Sequence, residues 1–167
     1  MADDTKCPGA PKPPRKIRRI FNRTWVVHQR ALFSQFLIAN GVSPEVLSNV
    51  VYAFLVETPI RICVKYGVAT TLEPREGFFG YTPGRIATLQ QELKSKDSRI
   101  VRILAVIPED VAKGVIKTQL EGHILKKTKG HKVDLGNHKE FRDPESLKIF
   151  DGTVKILLDM GVCVYQN

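Results

Sequence analysis

Residues 8–19, Pro8-Gly9-Ala10-Pro11-Lys12-Pro13-Pro14-Arg15-Lys16-Ile17-Arg18-Arg19, cannot join a packed core. Prolines fix φ and remove backbone donors, which excludes helix interiors and central strands. The stretch also carries too little apolar surface to offset the entropy lost on ordering. A globular body must therefore come from the residues beyond this stretch. The division expected is a basic, proline-rich arm over residues 1–21 and a single mixed α/β domain over 22–167.

Charge is one-sided around this arm. Between residues 5 and 42 stand Lys6, Lys12, Arg15, Lys16, Arg18, Arg19, Arg23 and Arg30, with no Asp or Glu. That segment carries +8 of the +9 net charge of a 167-residue chain. A cationic, proline-stiffened arm points to a polyanionic partner, most often nucleic acid, because lysines and arginines along an extended backbone can follow phosphates and release counterions. The plain alternative is a solvated tail that aids solubility or targeting. Ile17, Ile20 and Phe21 suggest that the end of the arm docks on the body.

The body is ordinary in composition, with 43% apolar and 26% charged residues, and long enough to bury a core without staples. Cys7, Cys63 and Cys163 are far apart and odd in number. No CxxC pair exists, so neither a zinc site nor a disulfide framework is expected, and reduced thiols in a cytoplasmic compartment are. No apolar stretch follows the basic residues of the N-terminus, so a secretory signal is not expected. The run Val46–Val56 is broken by Ser48 and Asn49 and is too short to span a bilayer.

Along the body, Thr24 to Asn40 reads as a helix, capped by Thr24 and ended by Gly41, with Trp25, Leu32, Phe33, Phe36 and Leu37 on one face. Ser43-Pro44-Glu45 then signals a second helix, in which Val46, Leu47, Val50, Val51, Phe54 and Leu55 recur at helical spacing until Pro59. Ile60 to Thr70 alternates like a strand bent at Gly67. Residues 72–81 read as a loop. A third helix opens at Thr82-Pro83 with Ile86, Leu89 and Leu93 inward. Arg99 to Ile107 is nearly continuous in apolar character, as a central strand is. Pro108-Glu109-Asp110 opens a fourth helix facing inward through Val111, Val115, Ile116, Leu120 and Ile124. Asp143-Pro144-Glu145 opens a fifth, with Leu147, Phe150, Val154, Leu157 and Leu158 inward. Gly161 ends it before a short closing strand, Val162–Tyr165. The expected fold is mixed α/β (α+β): an N-terminal helical hairpin, then a small two- to three-stranded sheet packed with three further helices.

Three places invite a functional reading. The arm residues Lys12, Arg15, Lys16, Arg18, Arg19 and Arg23, with Arg30 on the first helix, supply cations for a phosphate chain. A second basic cluster lies at 126–142, where Lys126, Lys127, Lys129, His131, Lys132, His138, Lys139 and Arg142 face only Asp134 and Glu140. Phe78, Phe79 and Tyr81 stand in a glycine-flanked loop and are candidates for stacking on bases. Their plain alternative is packing on the core. The passage 30–57 has the turn chemistry of a helix-turn-helix, but its second helix has no Lys or Arg to read base edges. Glu140, Asp143, Glu145 and Lys148 could suggest a metal-dependent nuclease, although Asp143 and Glu145 read better as a helix start. His123, His131 and His138 match no ligand spacing.

The expectation is thus a non-enzymatic protein that grips the nucleic-acid backbone, DNA or RNA, with weak sequence preference, and needs no cofactor, metal or membrane. The alternative is an assembly subunit, coat-like or part of a large nucleoprotein complex, that self-associates through its apolar second helix and aromatic loop. A metal-dependent nuclease is the third reading.

Overall fold

The computed structural model describes residues 32, 35–41, 48–72, 75–77, 80–82, 84–135 and 140–167, with backbone alone for 75–77 and 80–82. The order of elements is α1 (residues 35–40), β1 (Ser48–Glu57), β2 (Ile62–Thr71), β3 (Arg75–Gly77), β4 (Gly80–Thr82), α2 (Arg85–Lys94), β5 (Arg99–Pro108), α3 (Lys117–Lys127), β6 (Phe141–Arg142), α4 (Ser146–Asp159) and β7 (Tyr165–Gln166). Single 3₁₀ turns occupy Val111–Lys113 and Lys129–His131. Five strands form one sheet in the order β6-β2-β1-β5-β7, every pairing antiparallel.

The expected N-terminal helical hairpin is overturned, and so is the expected sheet of two or three strands, since this one has five. Its second helix is β1, the middle strand of the sheet, paired on both sides over its length. The physical reason lies in where the residues point. Val50, Tyr52, Phe54 and Val56 enter one core with Phe36 of α1 and Leu89 and Leu93 of α2. Val51 and Ala53 enter a second core with Leu120 and Ile124 of α3 and Phe150 and Val154 of α4. A strand covered on both faces needs apolar residues at every position, so its period of two disappears and a helical count can be read into it. Each large side chain buried here contributes roughly 1.5–3 kcal/mol, against about 1 kcal/mol for a helix cap. The first part of the expected hairpin, residues 24–31, and the Ser43-Pro44-Glu45 signal lie outside the described residues. Residues 35–40 are helical as expected, and Gly41 follows in the left-handed conformation at φ 58°.

Further boundaries move for similar reasons. Pro59 ends no helix; it sits in the β1–β2 turn. There Thr58 Oγ1 accepts from the Arg61 amide (3.1 Å) and donates to the Arg61 carbonyl (2.7 Å). Ile60 is 84% exposed at this tip, and the strand starts at Ile62. The expected loop 72–81 contains a two-stranded ribbon, β3–β4, in which Gly77 pairs with Gly80.

β5 is internal but not central. Its pairing with β1 slips twice, leaving out Leu104 and Val101, so two bulges break its alternation. The fourth helix starts at Lys117, later than Pro108 implied. Glu109 and Asp110 precede a 3₁₀ turn whose Val111 is 67% exposed. Leu158 of α4 likewise faces outward. Among the described residues no helix is long and apolar enough to cross a membrane.

Candidate nucleic-acid interface

α3 places the second basic cluster. Leu120 and Ile124 bury one face against β1 and β2. Glu109 Oε2 accepts from the Lys117 amide at 3.0 Å, so a carboxylate meets the positive end of the helix. Lys126 and Lys127 fall in the last turn, beside the negative end, where cations are favoured. The Thr128 hydroxyl donates back to the Ile124 carbonyl at 2.7 Å and closes the turn. The 3₁₀ turn carries Lys129, and Lys132 follows in a bridge to Arg142. Lys126, Lys127, Lys129 and Lys132 are all exposed, and among the described residues none of these four ammonium groups forms an ion pair with a carboxylate.

The chain that returns from this corner is tied down by buried charge. Arg142, grouped with the cluster by its sequence position, is only 4% exposed and is not a surface contact. Its Nε donates to Thr128 Oγ1 (3.1 Å), Nη2 to the Leu125 carbonyl (3.2 Å) and Nη1 to the Phe141 carbonyl (3.1 Å). The guanidinium thus meets one carbonyl of the last turn of α3, that of Leu125, and the hydroxyl of the residue that ends the helix. β6 then pairs with Val64 and Lys65 of β2. Lys65 is 3% exposed; its ammonium lies 3.3 Å from Glu140 Oε2 and 5.6 Å from the centre of the Phe141 ring. Burial pulls the Lys65 pKa below its ordinary value, Glu140 pulls it back, and Arg85 adds to the depression.

Burial also raises Glu121 and pushes Tyr52 up to about 12, the latter opposed by Arg85, whose Nε donates to the Tyr52 hydroxyl at 3.0 Å. Nothing in the sequence distinguishes Lys65 and Arg142 from surface cations except their setting. Lys65 interrupts an apolar stretch, Cys63-Val64-Lys65-Tyr66, whereas Arg142 stands in a charged one, Glu140-Phe141-Arg142-Asp143.

The carboxylates considered for a nuclease are dispersed among different partners. Glu140 is with Lys65, Asp143 Oδ1 is 3.0 Å from His131 Nδ1, and Glu145 is 2.9 Å from Lys148. No group of three or more His, Cys, Asp or Glu able to hold a metal occurs among the described residues. Asp143 does not cap α4 with its side chain, which is directed to His131; its carbonyl accepts from the Ser146 amide, where the helix begins.

Lys12, Arg15, Lys16, Arg18, Arg19, Arg23 and Arg30 lie outside the described residues. So do Phe78 and Phe79, and Tyr81 is described by its backbone alone, within β4. With β1 a strand, the helix-turn-helix expectation for 30–57 is withdrawn. No family model matches the chain, and no curated protein or solved structure does either.

Proposed function

We propose that this protein grips the phosphate backbone of nucleic acid, DNA or RNA, by charge, without catalysing a reaction and with weak sequence preference. The observation that carries the reading is the corner at the end of α3. Lys126, Lys127, Lys129 and Lys132 are exposed there and share no carboxylate among the described residues. Four cations held together by a rigid helix end and a buried arginine are arranged to meet a row of phosphates rather than to offset the protein's own acids. The arm cations Lys12, Arg15, Lys16, Arg18, Arg19 and Arg23 add to the same potential by sequence. Contacts of this kind position a backbone and carry little base information. Free thiols suit a reducing, cytoplasmic compartment for this activity; Cys63 is buried in the sheet and Cys163 exposed.

The test is a fluorescence titration of labelled DNA and RNA oligonucleotides of mixed sequence. Replacing Lys126, Lys127, Lys129 and Lys132 together by Gln is expected to weaken binding by about tenfold or more at low salt, as is deletion of residues 1–20. Binding unchanged by both alterations would refute the proposal.

A further inference from the structure

α4 buries Phe150, Val154 and Leu157 in the second core and turns the opposite side of its circumference outward. At 3.6 residues per turn, exposed Gly152, Ile156 and Met160 follow one another along that outer side, with half-buried Ile149 beside them. Exposed Lys148, Asp151, Lys155 and Asp159 form a second row next to the first. Seven large apolar side chains are exposed among the described residues, and three of them, Ile156, Leu158 and Met160, lie on α4 or directly after it. A fourth, Val111, lies in a turn fastened to the end of α4, where Lys113 Nζ donates to the Gly161 carbonyl at 2.6 Å. Gly152 serves no close packing within the chain, since a Cβ there would meet nothing within 4 Å. Glycine weakens a helix interior relative to alanine, so the notch it leaves is not explained by the fold of one chain.

We infer that α4 docks antiparallel on α4 of a second copy of this chain, forming a weak, reversible two-fold dimer. The charge pattern selects that occupant. A two-fold axis crossing the helix between Thr153 and Val154 sets Lys155 against the partner's Asp151 and Lys148 against the partner's Asp159, each pair occurring twice. The same axis sets Ile156 against the partner's Gly152, a knob facing a notch, and Met160 against the partner's Ile149. All four pairs centre on that axis to within one residue's rise, about 1.5 Å. An isologous contact brings each flank onto its own copy, so charged row meets charged row and apolar row meets apolar row. Among the described residues Asp151, Lys155 and Asp159 form no ion pair within the chain. Lys148 meets Glu145 at 2.9 Å and keeps further donors. With two lysines against two aspartates, this face is neutral on a chain of +9; it holds no polyanion and adds no repulsion between copies. β1, expected as a helix to serve self-association, is buried in the sheet and takes no part. α4 is about 21 Å long, and one helix face covers less than the roughly 800 Å² per partner of a standard interface, so the dimer is weak.

The experiment is sedimentation equilibrium of the full chain, free of nucleic acid, at about 0.15 M salt. A monomer–dimer equilibrium with a dissociation constant of roughly 10–100 µM is expected. Gly152→Gln fills the notch with a good helix former. Its dimer affinity should fall about tenfold or more while the urea midpoint of the monomer rises, a combination that a folding defect does not produce. Lys155→Asp sets like charges opposite the partner's Asp151 and should also weaken association about tenfold. Adding Asp151→Lys to it restores the pairs with exchanged sign and should bring affinity back to within about threefold of wild type. A chain that stays monomeric up to about 1 mM overturns the inference. So does an affinity untouched by Gly152→Gln, or a double exchange that binds no tighter than Lys155→Asp alone. The dimer does not depend on the phosphate grip, which the oligonucleotide titration tests separately.

Discussion

Replacing Gly67 by alanine tests the pairing that defines the sheet. Gly67 lies opposite Tyr52 in the β1–β2 register. A Cβ at position 67 would sit 2.3 Å from the Tyr52 hydroxyl oxygen and 2.5 Å from its ring carbon Cζ, where ordinary contact begins near 3.4 Å. The tyrosine would have to shift by about 1 Å, and it has little freedom to do so. It is fully buried, its ring stacks on Phe54 at 4.1 Å between centres and 17° between planes, and its hydroxyl accepts from Arg85.

Overpacking of this kind costs about 1–3 kcal/mol, and losing the Arg85 hydrogen bond adds about 1 kcal/mol. Reduced unfolded-state entropy returns roughly 0.4–1 kcal/mol. Gly67→Ala should therefore lose about 1–3.5 kcal/mol in equilibrium urea unfolding followed by circular dichroism. Combining it with Tyr52→Leu removes the collision, so the double variant should be more stable than the sum of the singles by at least about 1 kcal/mol. A Gly67→Ala protein within about 0.5 kcal/mol of wild type, or more stable, would refute the register and the packing inferred from it.

Two other substitutions test the buried cations behind the lysine corner. Lys65 has its pKa lowered by burial below the 10.5 of an exposed lysine. A base held lower in the folded state destabilises the fold while charged, and that deficit is relieved as pH rises through its folded pKa. Lys65→Met should therefore gain most over wild type near pH 7 and least near about pH 10, as read from urea midpoints at the two pH values. A gap independent of pH would contradict the burial of the charge. Arg142→Met removes donors from Thr128, Leu125 and Phe141. It should cost about 2–4 kcal/mol of stability by the same unfolding assay, and a loss below about 0.5 kcal/mol would place the arginine outside the fold's framework.

How far the sequence could be read depended on how many faces each element buries. α2, α3 and α4 bury one face each, so Ile86, Leu89 and Leu93, Leu120 and Ile124, and Phe150, Val154 and Leu157 could be picked out by period. β2 was legible because Lys65 and Thr70 break up its apolar residues. β1 was not, because both of its faces are buried and Ser43-Pro44-Glu45 resembles a helix start. β6 and β7 are two residues long and carry no pattern of their own. At the candidate site, exposed Lys126, Lys127, Lys129 and Lys132 were legible as a run of charge. Arg142 could not be separated from them, because only the fold turns it inward to the end of α3. The His131–Asp143 pair joins residues twelve apart that meet through the β6 return, a closeness that spacing alone does not express.

A grip by charge is tested most sharply by the salt dependence of nucleic-acid binding. Three proteins are compared: the intact chain, the chain lacking residues 1–20, and the form with Lys126, Lys127, Lys129 and Lys132 replaced by Gln. Each phosphate contact contributes about −0.7 to −0.9 to the slope of log affinity against log salt. The expected result is a steep slope for the intact chain and a slope shallower by about 2–4 in each altered form, with little difference between sequences. A slope that is shallow in the intact chain, or identical in all three, would contradict a phosphate grip by these cations.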